Sequence, residues 1–192
     1  LPTYADVESA AARIAGVAHR TPVVTSHSVD QRTGTRVFFK CENLQVGGAF
    51  KFRGAVNAVF ALSAAQAAQG VVTHSSGNHG AALARAAKLR GITAHVVVPE
   101  GAVPSKVEAI RAAGAVIHRC APTQAAREAK TAELIRQLGA VLVHPYEDPN
   151  VMAGQGTAAL ELLHAVPGLD AVIAPVGGGG LISGTAIALD PV

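Results

Sequence analysis

The sequence predicts an α/β protein built from open parallel sheets with helices on both faces. Short apolar runs rich in β-branched residues alternate along the chain with longer Ala-rich segments, which is the pattern of βαβ units. These runs are short and predominantly apolar, as expected of buried parallel strands. A length of 192 residues allows one domain or two small ones.

The predicted elements follow this alternation along the chain. In order, they are a helix at residues 4–15, a strand at 36–41, a helix at 52–68, a strand at 71–74, a helix at 81–89, a strand at 93–98, a helix at 105–113, a strand at 115–118, a helix at 125–138, a strand at 140–143, a helix at 156–165 and a strand at 171–176. Helix boundaries are marked by Pro104 at the start of one helix and by Gly91, Gly114 and Gly139 after the ends of three others.

Composition and charge exclude several classes of function. The chain carries 16 Lys and Arg against 13 Asp and Glu without a basic run, so we expect neither nucleic acid nor membrane as a partner. Cys41 and Cys120 have neither metal-ligand nor disulfide spacing, which predicts no metal site and a reduced, cytoplasmic protein. Asp6 and Glu8 precede any apolar run, which is atypical of a secretory signal peptide. The apolar window 171–189 contains a proline and five glycines, a composition unsuited to a membrane helix.

A lysine at a predicted helix start is the first candidate for chemistry. Lys51 lies within GGAFKFRG (residues 47–54), between glycines and phenylalanines. Partial desolvation would lower the pKa of its amine and make it a nucleophile toward an aldehyde. A solvated surface lysine is the other interpretation of this motif when it is taken alone.

A second loop, THSSGNHG at residues 73–80, follows a predicted strand and precedes a predicted helix. It therefore lies at the carboxyl end of a strand, where open α/β sheets bind ligands. Its hydroxyls, its amide and the N–H groups of the helix start suit a carboxylate. Local capping and turn formation explain the same residues equally well.

A third loop, PVGGGGL at residues 175–181, places four consecutive glycines between an apolar strand and an apolar helix. Bare N–H groups beside a helix N-terminus predict a phosphate cradle and not a flexible linker. A degenerate dinucleotide pattern, GQGTAA at residues 154–159, follows a Pro-rich loop instead of a strand. It leaves a Rossmann oxidoreductase as a weak alternative.

The three motifs, in this order, resemble the fold-type II pyridoxal-phosphate enzymes, specifically the group of serine/threonine dehydratases (threonine ammonia-lyases) and serine racemases. AFKFRGA, SSGNHG and GGGGL, with HPYEDP and AGQGT between them, agree with that family over nearly the whole chain. The resemblance implies a two-domain, tryptophan synthase β-like architecture. Residues 1–67 and 146–192 would form a large cofactor-binding domain, and residues 68–145 a small one. It also implies that the family's chain continues beyond Val192, so this chain is expected to be incomplete at its C-terminus.

The resemblance implies roles toward pyridoxal 5'-phosphate. Lys51 would hold the cofactor through its amine and take the Cα proton of the substrate, as a catalytic residue. Phe50 would pack against the pyridine ring, and Asn78 would bind the phenolic oxygen. The phosphate would be bound by the four glycines Gly177, Gly178, Gly179 and Gly180. Many family members have serine where Ala49 stands, a change that should not prevent attachment of the cofactor.

The resemblance also implies roles toward the substrate. Ser75, Ser76, Asn78 and His79 resemble a substrate-carboxylate loop. Ser76 further matches a catalytic serine that, in racemases of this group, returns a proton on the opposite face. Arg127 resembles an arginine that meets a second substrate carboxylate, although an exposed helix arginine is the more ordinary interpretation.

The implied function is that of a lyase converting a β-hydroxy amino acid, threonine or serine, to a 2-oxo acid and ammonia. Serine racemase and hydroxyaspartate dehydratase remain open alternatives on the same scaffold. A non-catalytic remnant that binds cofactor or phosphate is the alternative from another class. The family further implies a small amino-acid substrate and a homodimer. Some members bind a divalent cation, whose ligands would lie outside this chain.

Overall fold

The computed structural model describes residues 1–190 and contains two sheets in that range. The strands are β1 (Val23–Thr25), β2 (Phe38–Lys40), β3 (Val71–His74), β4 (Ala94–Pro99), β5 (Val116–Cys120) and β6 (Val141–Leu142). Strands β3 to β6 form a parallel sheet with the order β5-β4-β3-β6, whereas β1 and β2 form a separate antiparallel pair. The predicted α/β class with a parallel sheet is therefore confirmed.

Helices account for most of the remaining described chain. They are α1 (Tyr4–Ile14), α2 (His27–Thr33), α3 (Lys51–Ala61), α4 (Ala64–Ala68), α5 (Asn78–Arg90), α6 (Pro104–Ala112), α7 (Gln124–Leu138), α8 (Pro149–Ala165) and α9 (Gly180–Leu189). Two short 3₁₀ turns, Glu42–Leu44 and Val46–Gly48, lead from β2 into α3. None of the helices within residues 1–190 is both long enough and apolar enough to cross a membrane.

Both faces of the parallel sheet are covered by helices, as the short apolar strands predict. On one face, Val71 packs into a cluster with α3 and α5, while Val96 packs against α6. On the other face, Val72 and Val97 pack against Leu134 of α7. Side chains of successive residues point to opposite faces of a strand, so a strand buried on both faces has no position for a polar side chain facing water.

The two largest differences from the predicted helices concern those at 52–68 and 156–165. The helix predicted at 52–68 is interrupted at Leu62, which is extended, and Ser63 then begins α4 through a capping box with Gln66. The helix predicted at 156–165 begins earlier, at Pro149. Asp148 caps it by accepting hydrogen bonds from the amides of Asn150 (2.8 Å) and Val151 (3.1 Å). Proline at the first helical position is itself a start signal, so this boundary was readable from the sequence.

The strand predicted at 171–176 is not formed. The segment has no regular secondary structure, and none of the strands within residues 1–190 pairs with it. Its side chains include Ile173, which is 95% exposed, and Val176, which is 68% exposed. An apolar run forms a strand only where a neighbouring backbone accepts and donates its hydrogen bonds. Helix α2 and strand β1, in turn, were not predicted.

Glycines allow three helices to pack at very short range. A side chain at Gly154 of α8 would lie 2.6 Å from Cα of Gly54 in α3, and one at Gly156 would lie 2.6 Å from the carbonyl oxygen of Gly184 in α9. Both Gly154 and Gly156 are buried within α8. The dinucleotide-binding interpretation of GQGTAA is therefore wrong, because these glycines mediate helix packing inside a helix and do not form a loop after a strand.

We predict that Gly156→Ala lowers the free energy of unfolding by about 1–3 kcal/mol, because the added methyl group must push α8 away from α9. Denaturant unfolding curves measure the effect. Ala129→Leu is the control, since Ala129 is exposed on α7 and a larger side chain there meets solvent. An unchanged unfolding midpoint for Gly156→Ala would contradict the close packing.

Candidate active site

A cavity of about 240 Å³ lies where the start of α3 faces the start of α9. It is lined by Phe50, Lys51, Pro175, the glycines 177–180 and Leu181. The first and third sequence motifs are far apart along the chain, yet the fold places them in the walls of one cavity.

Lys51 is half-buried at the first position of α3. Its Nζ donates a hydrogen bond of 2.7 Å to the carbonyl oxygen of Pro145 and lies 5.2 Å from the centroid of the Phe50 ring. Burial lowers the pKa of Lys51, because removal of water disfavours the ammonium form. Lys51 is thus not the solvated surface lysine that its motif alone also allowed, and its amine is suited to attack a carbonyl carbon.

The glycine loop ends at the N-terminus of α9. Gly179 has a φ of 93°, in the left-handed region, and no side chain caps the helix there. The amides of the first helical turn therefore have no partner within the helix. A Cβ built on Gly177 or Gly179 would have no atom within 4 Å, so these positions face open space. Free amides beside an open space at a helix N-terminus form a site for an anion such as phosphate.

The second motif lies at the carboxyl end of β3. Oγ of Ser75 accepts a hydrogen bond of 3.2 Å from the amide of Gly77, Ser76 is half-buried, and Asn78 is exposed at the first position of α5. Ser75, Ser76 and Asn78 are not among the residues that line the 240 Å³ cavity. The motif therefore lies at the carboxyl end of a strand, as predicted. Its residues do not form part of the wall of the cavity that holds Lys51.

His79, the last residue of the same motif, is fully enclosed. Its Nε2 donates a hydrogen bond of 3.2 Å to the carbonyl oxygen of Val143, which leaves Nδ1 unprotonated. Among the described residues, Nδ1 has no hydrogen-bond partner. Burial, together with the charge of Lys51, lowers the pKa of His79 to about 3. A neutral imidazole offers no positive charge to a substrate carboxylate, and the evident contact of His79 is with the backbone of Val143.

Arg127 is a half-buried residue of α7. Its Nε donates a hydrogen bond of 3.4 Å to the carbonyl oxygen of Thr123. A second cavity of about 190 Å³ lies nearby, lined by His74, Glu128, Thr131, Ala132, Ile135, Leu142 and His144. Burial lowers the pKa of His74, and the charges of His144 and Arg127 lower it further. Arg127 is not among the lining residues of either cavity, and its role toward a substrate carboxylate stays a prediction.

Comparison with known families identifies the group to which this arrangement belongs. The family described as "Pyridoxal-phosphate dependent enzyme" matches residues 14–191. The chain belongs to this family. It is 53% identical over 189 residues to beta-hydroxyaspartate dehydratase of Paracoccus denitrificans (strain Pd 1222), covering 98% of this chain and 60% of that protein. It is 54% identical over 183 residues to serine racemase of Arabidopsis thaliana, covering 95% of this chain and 55% of that protein.

Solved structures give the same result for the fold of this pyridoxal-phosphate enzyme. Serine racemase from Dictyostelium discoideum superposes with a TM-score of 0.96 at 49% identity, covering 99% of this chain and 62% of that one. The threonine deaminase of T.th. superposes with a TM-score of 0.90 at 41% identity, covering 99% and 61%. The chain thus spans roughly three fifths of the length of these relatives. The resemblance to the fold-type II family, and with it the family's cofactor, is confirmed.

The cavity fits pyridoxal phosphate on its own geometry. The cofactor combines an aldehyde, an aromatic ring and a phosphate, and the cavity offers a half-buried amine, a phenyl ring and free helix N-terminal amides. Within residues 1–190, no group of three or more His, Cys, Asp or Glu side chains could hold a metal ion.

The low pKa of His79 predicts acid sensitivity of the fold. Its ordinary value is 6.5 and its folded value is about 3, so the unfolded chain binds the additional proton between these pH values. Stability due to the neutral ring is complete above pH 6.5 and is lost as the pH falls toward 3, at up to about 1.4 kcal/mol per pH unit. Unfolding free energies measured from pH 7 to pH 4 should show this slope.

The variant His79→Gln tests the assignment of that slope to one residue. Glutamine can donate a hydrogen bond but does not titrate, so the loss of stability between pH 6.5 and pH 4 should be smaller in this variant. His164→Gln, at an exposed position near the end of α8, is the matched control. An identical slope in wild type and His79→Gln would contradict the prediction.

An ion network around Arg53 was not predicted from the sequence. Arg53, fully buried in the first turn of α3, donates to both carboxylate oxygens of Glu42 (2.8 Å each) and to Glu161 (2.8 and 2.9 Å). Lys40 binds Glu161 at 2.6 Å. Burial alone would raise the pKa of Glu161, but hydrogen bonds from Arg53 and Lys40 lower it. Because Arg53 is only two residues after Lys51, the network holds the start of α3 in place close to the lysine.

Tyr146 was also missed as a site residue. It belongs to the HPYEDP segment, which the sequence links to the family but to no role in the site. In the structure, the Tyr146 ring contacts the glycine loop. The available signal was an aromatic residue between two prolines, Pro145 and Pro149, in the loop before a predicted helix. A sequence pattern alone did not reveal which loop the ring would touch.

Proposed function

We propose that the protein is a pyridoxal-phosphate-dependent lyase that converts threonine or serine to a 2-oxo acid and ammonia. The observation that carries the proposal is the half-buried amine of Lys51, which shares one cavity with the free amides of the glycine loop. Because the names of the relatives include a threonine deaminase, a serine racemase and a hydroxyaspartate dehydratase, they support a small amino acid as substrate.

In this proposal, each motif residue has one task toward the cofactor. The amides of Gly177, Gly178, Gly179 and Gly180 bind its phosphate, Phe50 packs against its ring, and Asn78 donates to its phenolic oxygen. Nζ of Lys51 would hold the aldehyde carbon of the cofactor, with the aldehyde oxygen lost as water, in place of its hydrogen bond to the carbonyl of Pro145. When bound, the cofactor withdraws electrons from the Cα atom of the substrate, and the protein supplies orientation and proton transfer.

Toward the substrate, Ser75, Ser76 and Asn78 hold the carboxylate, while His79 keeps the neighbouring backbone in place. Nζ of Lys51 would take the Cα proton, and the β-hydroxyl would depart with a proton as water. The enamine that is set free takes up one water molecule and yields the 2-oxo acid and ammonia. The net change is therefore amino acid to 2-oxo acid plus ammonia. If the hydroxyl of Ser76 returns a proton to Cα from the opposite face first, the product is the other enantiomer.

Serine racemase and hydroxyaspartate dehydratase activity remain the second candidates, because the two curated relatives above, at 54% and 53% identity, carry these names. A substrate panel of L-threonine, L-serine and 3-hydroxyaspartate separates the three. Formation of 2-oxo acid from threonine and serine supports the proposal, and formation from 3-hydroxyaspartate alone replaces it with the dehydratase. Chiral chromatography of unreacted serine detects racemisation. Cofactor binding without any turnover would favour a non-catalytic remnant.

We also propose the two-domain division at residues 67/68 and 145/146. The packing of α1, α3 and α9 around α8 supports the first unit, and the parallel sheet β3–β6 supports the second. Residues of α3 and α5 share a core cluster, through which the two units would remain in contact. The family resemblance supports a homodimer, which light scattering of the purified protein tests. The absence of disulfide spacing between Cys41 and Cys120 supports a cytoplasmic location.

A further inference from the structure

Tyr146 lies directly against the glycine loop. A Cβ added to Gly178 would fall inside the Tyr146 ring, overlapping Cγ, Cδ1 and Cε1, and one added to Gly180 would lie 3.0 Å from the Cα atom of Tyr146. Gly177 and Gly179, by contrast, face open space. One side of the loop is therefore closed by an aromatic ring, and the other side remains free for a ligand.

The ring has little freedom to move away from the loop. The His144 ring packs edge-on against it, with centroids 4.6 Å apart and an interplanar angle of 85°. Nδ1 of His144 accepts a hydrogen bond of 3.1 Å from the amide of Glu147. On either side of His144, the carbonyl oxygens of Val143 and Pro145 accept hydrogen bonds from His79 and Lys51. The backbone that carries Tyr146 is thus held at several points.

We infer that Tyr146 is a positioning residue for the glycine loop, holding the amides of Gly177–Gly180 in the conformation that binds the cofactor phosphate. This inference rests on the proposed binding of pyridoxal phosphate in the cavity. A loop of four glycines has an unusually large conformational entropy, and a fixed ring on one side restricts it before any ligand arrives. The ring, and not its hydroxyl, makes the contact.

Comparison of two ligands distinguishes binding at the phosphate site from binding in the rest of the cavity. Pyridoxal 5'-phosphate and pyridoxal share the aldehyde and the ring, so both report on Lys51, but only the former reports on the glycine loop. In apo-protein titrations followed by absorbance, Tyr146→Ala should weaken pyridoxal phosphate binding on the order of tenfold and change pyridoxal binding far less. Tyr146→Phe keeps the ring and should bind both ligands as the wild type does.

A second variant keeps the test decisive if Tyr146→Ala folds poorly. Gly178→Ala, with Tyr146 intact, should also weaken binding of the phosphorylated ligand because its methyl group displaces the loop from the ring. Adding Tyr146→Ala to Gly178→Ala should produce no further loss, since the clash is then removed. Such non-additivity is expected of two residues in direct contact.

The outcomes are distinguishable. Failure of the wild type to bind pyridoxal phosphate would overturn the proposed function itself. If the wild type binds it but Tyr146→Ala binds it equally well, or loses affinity for both ligands to the same extent, the positioning role is wrong. Additive effects of the two substitutions would also contradict it.

Discussion

Replacing Lys51 with alanine should abolish covalent attachment of the cofactor and reduce turnover by at least the roughly 10²- to 10⁴-fold that a positioned base contributes. The amine lies in the cavity wall, half-buried, and its lowered pKa favours the neutral, nucleophilic form. Alanine removes the nucleophile and the proton acceptor together. Turnover is measured as 2-oxo acid formation, and attachment by peptide mass after borohydride reduction, which should place the cofactor on Lys51.

The fold should survive this substitution. Lys51 makes one side-chain hydrogen bond in the described structure, to the carbonyl of Pro145, and alanine is favourable in a helix. Lys88→Ala, at an exposed position on α5, controls for the loss of a lysine and should retain both activity and labelling. Labelling that persists in Lys51→Ala would assign the cofactor to another amine. A wild-type protein that takes up no cofactor would favour the non-catalytic alternative.

Replacing Arg53 with alanine should lower the free energy of unfolding by about 3–5 kcal/mol, the usual range for breaking a buried ion pair. Arg53 is inaccessible to solvent and binds Glu42 and Glu161. Without the guanidinium group, Glu42 loses its cation and the packed interior contains a cavity, while Glu161 keeps only Lys40. Denaturant unfolding of the purified protein measures the loss.

Arg111→Ala is the matched control for Arg53→Ala. Arg111 binds Glu108, but the two side chains are 58% and 64% exposed. Exposed pairs contribute about 0–1 kcal/mol, so this variant should remain close to wild type. If the two arginine variants lose similar stability, the buried network is not the source of the effect. If Arg53→Ala is stable but loses cofactor, the network acts mainly by placing the start of α3.

The sequence contained the elements of the site but not their arrangement. Lys51 and the glycine loop were predictable because the chemistry of each depends on adjacent residues alone. Lys51 lies between apolar residues, and the four glycines offer a row of free amides. The strand at 171–176 failed because pairing depends on a partner that no local pattern reveals. Gly154 and Gly156 were ambiguous for the same reason, since the atoms that they approach belong to α3 and α9. Glu161, one of the two partners of Arg53, is likewise remote in sequence, and no local pattern indicates that it pairs with Arg53.

The strand order β5-β4-β3-β6 determines when the site can form during folding. Strands β3, β4 and β5 follow one another along the chain, so each pairing closes a short loop. Strand β6 returns across two neighbours to pair with β3, through Val71 with Val141 and Val72 with Leu142. Long-range closure carries a larger entropic penalty and slows assembly. Because Pro145, whose carbonyl accepts the hydrogen bond from Lys51, follows shortly after β6, we expect this contact to form only after β6 has paired with β3.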